Sequence, residues 1–381
     1  MRLAEVDGKA LLRRHGIAVP QSVLLRPGEN PPDETTGWPG FLLKAQVLEG
    51  GRGKSGLVRR FDKAAGFRDA RRLILATLDD ADTPLLLEQA VPIAREIFIA
   101  VRIDGTRQRL ELLIGPQGGE NVEQSAKLTR IALAEDTRPE TIFPEIAKLF
   151  PRDLAARLSR YAARLPDIAR QEDLELLEIN PLALTEDGSL IACDAKIIRD
   201  EAADFRHDPD EFPTSRTLAE RALTPHERSA RDLGFQLVET DGDVVLVTSG
   251  AGLAMIMMDL LADHGLRAAS FMDNLRGAPD ETMTERLQIA RVLAARKNIK
   301  AIVFQTVIAS RSLAERIDAL IAWISAEPLP KPLFVGFAAG HAATRKMSVD
   351  EAIDKLRALG VAAFTDPIAL VRAARAASLA Q

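Results

Sequence analysis

Two stretches concentrate residue types that could do chemistry. The first runs from Glu175 to Lys196 and reads Glu-Leu-Leu-Glu-Ile-Asn-Pro-Leu-Ala-Leu-Thr-Glu-Asp-Gly-Ser-Leu-Ile-Ala-Cys-Asp-Ala-Lys. Asp187-Gly188 is a tight-turn signal between apolar runs, which predicts a β-hairpin. A loop centred on Asp187 sets Asn180 opposite Asp194 and Glu178 opposite Lys196, and a loop shorter by one residue breaks that alignment. Side chains alternate faces along a strand. Glu178, Asn180, Asp194 and Lys196 then share a polar face, while Leu177, Ile179, Cys193 and Ala195 face a core. An amide and carboxylates with coordination positions left over suit a Mg²⁺ ion that also binds phosphate oxygens and water. The same pattern would also make an ordinary surface hairpin with a solvated face.

The second stretch is Glu49-Gly50-Gly51-Arg52-Gly53-Lys54-Ser55-Gly56. Glycines let a backbone turn tightly and aim N–H groups at an anion. Arg52 and Lys54 add positive charge, and Lys44 sits on the strand just before. This suits a triphosphate, although the spacing and the absence of a following helix exclude the Walker pattern. A flexible basic surface hairpin fits the same residues. Further on, Leu85 to Ala90 reads as a buried strand ending in Glu88 and Gln89, which could read an adenine edge or a ribose hydroxyl. Glu96 lies on the next strand. Gly115 to Glu123 reads as a plain turn.

These residues must be positioned by a chain of 381 residues, long enough for two or three domains. Hydrophobic residues make up 46% and charged residues 28%, as in ordinary globular proteins, and a net charge of -5 argues against bulk nucleic-acid binding. One cysteine, Cys193, excludes an internal disulfide and fits a reducing compartment. The polar start, without an apolar signal segment or a run of transmembrane length, predicts a cytoplasmic protein.

The N-terminal elements expected are a helix from Leu3 to Gly16 with apolar positions at Leu3, Val6, Ala10 and Leu11, strands over Ser22–Leu25 and Phe41–Gln46, and a helix over Lys63–Leu78. Strands follow over Ile93–Arg102 and Gln108–Ile114, then a largely helical span, Thr141–Arg170. Asp200 to Ser229 should connect the domains with one helix near its end, and a boundary is expected within Asp232–Asp243. From Val244 on, short apolar strands alternate with helices, which predicts a parallel sheet covered on both faces. Ser249-Gly250-Ala251-Gly252 after the first of these strands offers N–H groups at a helix N-terminus, a ready anion site.

With these pieces placed, the sequence resembles the β-subunit of succinyl-CoA synthetase and its relatives, the nucleoside-diphosphate-forming acid–CoA ligases. The resemblance covers nearly the whole chain. It is strongest at Gly50–Lys54, Glu178–Leu182, Cys193–Lys196 followed by Asp204-Phe205-Arg206, and Ser249–Met255. It implies an α/β protein: an ATP-grasp fold over residues 1–235 and a flavodoxin-like CoA-ligase domain over residues 236–381. It implies Asn180 and Asp194 as Mg²⁺ ligands. Lys44, Gly51, Arg52 and Gly53 would bind the phosphates of ATP or GTP, Glu88 and Glu96 would line the nucleotide pocket, and Ser249 would belong to the second glycine turn. Arg52, Glu178 and Arg311 are the catalytic candidates. The implied reaction joins a carboxylic acid to coenzyme A through an acyl phosphate and a phosphohistidine. The phosphohistidine and the coenzyme A site would lie on an α-subunit, so this chain would be half of an enzyme.

The C-terminal domain departs from the succinyl-CoA synthetase pattern. Ser249 stands for the usual asparagine, Asp273-Asn274-Leu275-Arg276-Gly277 for a glycine triplet, and Thr306-Val307-Ile308-Ala309-Ser310-Arg311 for a Gly-Gly-Ile segment. Arg276 and Arg311 bring possible partners for a second acidic group on the substrate. Two other classes compete: a non-catalytic or regulatory subunit with a decayed C-terminal site, and an ATP-grasp ligase joining a carboxylate to an amine. Near-complete nucleotide motifs argue against the first, and a βα domain without an amine-binding tail argues against the second.

Overall fold

The computed structural model describes residues 1–35, 37–119, 128–248, 250–274, 282–308, 312–341 and 343–379. The chain divides into two compact units, Met1–Glu220 and Arg221–Gln381. The first opens with α1 (Glu5–Arg14), whose C-terminal turn closes on Gly16 in the left-handed conformation, as its sequence requires. An antiparallel sheet follows, built from β1 (Ser22–Leu25), β2 (Phe41–Ala45), β3 (Val58–Phe61) and β4 (Leu85–Gln89) in the order β1-β4-β2-β3. Its apolar face, with Leu43, Leu85 and Leu87, packs on Phe67 and Ile74 of α2 (Phe67–Leu78).

A second sheet holds β5 (Ile93–Asp104), β6 (Arg109–Gly115), β7 (Thr129–Ala132), β8 (Leu174–Thr185) and β10 (Lys196–Arg199), ordered β10-β8-β5-β6-β7, with β9 (Leu190–Ala192) paired to the end of β8. Thr141–Arg170 is largely helical, as expected, but not as one helix. Three stand there instead: α3 (Pro139–Ile146), α4 (Arg152–Ala162) and α5 (Leu165–Gln171). Proline explains the breaks, because it cannot donate the interior hydrogen bond but suits a first turn. Pro151 precedes α4, and Pro166 sits in the first turn of α5.

The hairpin takes the register its turn predicts. Glu178 pairs with Lys196, and Leu182 with Ala192. Asp187 lies at the centre of the loop and accepts the Ser189 N–H at 3.0 Å, with Gly188 at φ 85. Leu177, Ile179, Cys193 and Ala195 are buried.

Around the C-terminal end of α1, Glu172 accepts from Arg14 at 2.8 Å and meets His15 at 2.6 Å and Arg199 at 3.2 Å. Burial works to raise the Glu172 carboxyl, but His15 and Arg14 overcome it and hold it below its ordinary 4.5. A carboxyl depressed on folding contributes stability that is complete above its unfolded pKa and fades as pH falls through its folded one. The melting temperature should therefore drop below about pH 4.5, and Glu172→Gln should flatten that drop. A pH series of thermal melts on both chains checks this; parallel profiles would contradict it.

In the second unit, α7 (Pro225–Asp232) starts from a capping box in which Thr224 Oγ1 accepts the Glu227 N–H at 3.1 Å. With α6 (Pro213–Ala222), it makes two helices in the connecting stretch where one was expected. The sheet comprises β11 (Phe235–Glu239), β12 (Val244–Thr248), β13 (Ala268–Asn274), β14 (Ala301–Ile308), β15 (Leu333–Ala339) and β16 (Ala362–Phe364), ordered β11-β13-β12-β14-β15-β16. All but β11 run parallel, and the order second-first-third-fourth-fifth is that of flavodoxin-like folds. β11 adds an antiparallel edge that the sequence reading did not separate from the boundary region. Helices α8 (Ala251–Asp263) and α12 (Pro367–Leu379) cover one face; α9 (Met283–Ala294), α10 (Leu313–Ala326) and α11 (Val349–Ala358) cover the other.

Candidate active site

β2 delivers Lys44 at its end, and the glycine loop that follows carries Arg52 back over the same strand. Gly51 takes φ 79, which a residue with a Cβ rarely adopts, so the loop can fold tightly enough to do this. β4 delivers Glu88 beside Lys44. The hairpin brings Glu178, Asn180 and Asp194 from the second sheet. Together with Gly51, Gly53 and Glu96 they line one cleft of about 570 Å³ in the first unit, inside the size range of small-molecule sites. Ser249, Arg276 and Arg311 lie outside the described residues.

The floor of the cleft is a charge network whose centre the sequence did not announce. Glu5 is fully buried, and its Oε1 meets Lys9 Nζ at 2.6 Å and Lys44 Nζ at 2.7 Å. Its Oε2 accepts from Arg52 Nη1 at 2.5 Å, and Arg52 Nη2 reaches Asp194 Oδ1 at 2.6 Å. Glu88 meets Lys44 at 2.6 Å through Oε2 and pairs with Lys9 through Oε1. Lys9 and Lys44 each also donate to the Cys193 carbonyl at 2.8 Å. The expected apolar stripe of α1 is thus wrong in part: Ala10 is exposed and Val6 half-buried, while Glu5, Asp7 and Lys9 are buried. The Glu5/Lys9 spacing of four residues was the available signal, but it reads equally as a solvated surface pair.

Burial alone would raise the Glu5 carboxyl; the ammonium groups of Lys44 and Lys9 and the Arg52 guanidinium hold it well below the carboxylate range. Burial would lower Lys44, and Glu5, Glu88 and Asp194 instead push it above its ordinary value. Both groups are therefore charged at neutral pH. Burying ion pairs rarely stabilises a fold more than apolar packing of the same volume would.

Glu88 was expected to read an adenine edge or a ribose hydroxyl. Both of its oxygens are engaged by ammonium groups here, so it serves as their counter-anion at the cleft wall. Asn180 Oδ1 accepts the Gly119 N–H at 2.7 Å, which fixes its amide beside Asp194 at the cleft. Asp194 keeps 36% of its side chain exposed. Hard oxygen donors without thiolate or imidazole suit Mg²⁺. Among the described residues, one group of three His, Asp or Glu residues could hold a metal, Glu172, His207 and Glu211. It lies outside the cleft, and its carboxylates are occupied by Arg14 and Arg199.

Comparison with known proteins bears on this geometry. The ATP-grasp domain family matches residues 2–184. The succinate–CoA ligase [ADP-forming] subunit beta of Syntrophotalea carbinolica is 34% identical over 311 residues, covering 76% of this chain and 78% of that protein. The chain belongs to this β-subunit family. The Desulfurococcus amylolyticus protein of the same name is 31% identical over 349 residues and spans 88% of this chain and 89% of its own, so the family likeness extends well past the ATP-grasp part. In fold, the chain is similar to the ATP citrate lyase of Methanothrix soehngenii solved with citrate and coenzyme A, with a TM-score of 0.69 and 16% identity over 98% of each chain.

The five histidines differ in their surroundings. His15, His207 and His226 each face a carboxylate, of Glu172, Asp173 and Glu239. His264 Nδ1 meets the Leu260 carbonyl at 2.9 Å. His341 is exposed beyond β15. Among the described residues, no helix is long and apolar enough to cross a membrane.

Proposed function

We propose that the chain is the β-subunit of an ADP-forming carboxylic acid–CoA ligase. It binds Mg-ATP and the acid, and with an α-subunit makes acyl-CoA through acyl phosphate and phosphohistidine intermediates. The observation that carries this is the meeting of the Lys44 and Arg52 cations with the Asn180 and Asp194 oxygens in one cleft. Asn180 and Asp194 would hold Mg²⁺, which when bound neutralises triphosphate charge. Phosphoryl transfer needs little from a protein beyond positioning and electrostatic stabilisation. Lys44 supplies positive charge at a low-dielectric floor, Arg52 brings a guanidinium to the same place, and the Gly51–Gly53 backbone supplies N–H donors for phosphate oxygens. Glu178, opposite Lys196 on the polar face of the hairpin, would orient the phosphates through that lysine. ATP or GTP would fit the charge requirement equally.

In this proposal residues 1–235 handle nucleotide and metal, and residues 236–381 handle the acid and the α-subunit. The α-subunit would carry the phosphohistidine and the coenzyme A site. Arg276 and Arg311 follow β13 and β14 in sequence, and ligands of parallel sheets gather beyond such strand ends. An acid with a second anionic group, a dicarboxylate or a sulfocarboxylate, would pair with them.

The test is turnover of an acid panel by the chain co-purified with its partner. A diacid should be preferred over monocarboxylates of similar size. Arg311→Ala and Arg276→Ala should each cost that acid about tenfold to a hundredfold in kcat/KM, the worth of a charged hydrogen bond. Wild-type kcat/KM in both variants would remove the arginines from the acid site, and absence of acyl-CoA formation from every acid would remove the ligase proposal.

A further inference from the structure

Arg52 is bound on both sides by acids with different prospects. Its Nη1 is on Glu5, at 2.5 Å, and its Nη2 is on Asp194, at 2.6 Å. Glu5 is sealed in the floor, whereas Asp194 stands at the cleft with a third of its side chain exposed. A divalent cation on Asp194 would have to compete with the guanidinium already there. Among the described residues, Glu5 and Asp194 are the carboxylates in ion-pair reach of Arg52.

We propose that Glu5 is a positioning residue of this site: it is the fixed anchor on which Arg52 pivots away from Asp194 as the metal–nucleotide enters. The inference rests on the nucleotide reading of the cleft. With Nη1 held by Glu5, the guanidinium can surrender Asp194 without leaving the site, and Nη2 is then free for a phosphate oxygen. The anchor is itself rigid. Lys9 and Lys44 hold Oε1 of Glu5, and Lys9 is tied in turn to Glu88 and to the Cys193 carbonyl. The backbone on either side of Glu5 is pinned from outside the helix. Ser215 Oγ accepts the Ala4 N–H at 2.8 Å, and Gln46 Oε1 accepts the Val6 N–H at 2.9 Å. The moving partner, by contrast, sits on a loop with glycine on both sides of it, Gly51 and Gly53. Without the Glu5 carboxylate, Arg52 would keep Asp194 as its one acidic partner and block the metal position more firmly.

The experiment is calorimetric binding of ADP to the full chain over a series of Mg²⁺ concentrations, with thermal melting to verify folding. Glu5→Gln should raise the half-saturating Mg²⁺ concentration about tenfold or more, the usual effect of losing a group that orients a metal ligand. Glu5→Asp should recover part of it. Glu5→Gln/Lys9→Met restores the charge balance but not the anchor, so it should keep the shift. Arg52→Gln loses the phosphate contact as well as the competitor for Asp194, so it should weaken ADP at saturating Mg²⁺ and abolish the Glu5 effect: adding Glu5→Gln or Glu5→Asp to Arg52→Gln should raise the Mg²⁺ requirement no further. A requirement within twofold of wild type in Glu5→Gln, full recovery in Glu5→Gln/Lys9→Met, or a further rise when a Glu5 substitution is added to Arg52→Gln would each overturn the pivot. A wild-type chain that binds no ADP at any Mg²⁺ concentration would instead overturn the nucleotide reading beneath it.

Discussion

Asp194→Ala, assayed in the chain paired with the proposed α-subunit, should lower ADP formation by about a hundredfold to a thousandfold, the scale of one lost electrostatic group at a phosphoryl or acyl centre. The fold should survive. Asp194 is part exposed, at the mouth of the cleft, and its Oδ1 serves only the Ala195 N–H at 2.7 Å and Arg52 among the described contacts. Its loss leaves Arg52 still anchored by Glu5, so no buried charge is stranded. Asp194→Asn keeps an oxygen but loses the negative charge, and it should be nearly as damaging if a divalent cation is what the residue serves. Melting temperature and Mg²⁺ dependence of the rate are the accompanying measurements. Unchanged turnover with unchanged Mg²⁺ dependence in Asp194→Ala would remove this residue from the metal site.

The second large effect is the dependence on a partner. Purified alone, the chain should make no acyl-CoA, and adding the α-subunit should restore it. Four of the five histidines have one ring nitrogen engaged by a local partner. His341 is exposed beyond a strand end and is therefore the control. Robust acyl-CoA synthesis by the isolated chain, abolished in His341→Ala, would mean that the whole reaction runs on this polypeptide.

What could be read from the sequence follows from how locally each feature is determined. The hairpin was legible because turn chemistry and strand alternation act over a few residues. Asp187-Gly188 set the register, and the register set which side chains share a face. The parallel sheet of the second unit was legible for the same reason, from repeated short strands and helices. The edge strand β11 was missed because Phe235 to Glu239 falls in a stretch where charged and apolar residues mix, and its place depends on pairing with β13. The floor of the cleft was the least legible. Glu5 and Lys9 are four apart on a helix, as many surface pairs are, and nothing nearby says that they are buried. Their burial is decided by Lys44, Glu88 and Cys193, which arrive from distant parts of the chain. The ammonium partners of Glu88 were illegible for the same reason, since they are on α1 and β2 rather than beside it.

The central claim is that this cleft binds a nucleotide through a divalent cation. The most direct measurement is calorimetric titration of ADP into the full chain with Mg²⁺ present and again with excess EDTA. The account predicts one site per chain, binding that weakens at least tenfold when the metal is chelated, a chelation effect of the size expected for lost metal coordination, and no such dependence in Asp194→Ala. Binding that is indifferent to EDTA in the wild-type chain, or that keeps its full metal dependence in Asp194→Ala, would contradict it.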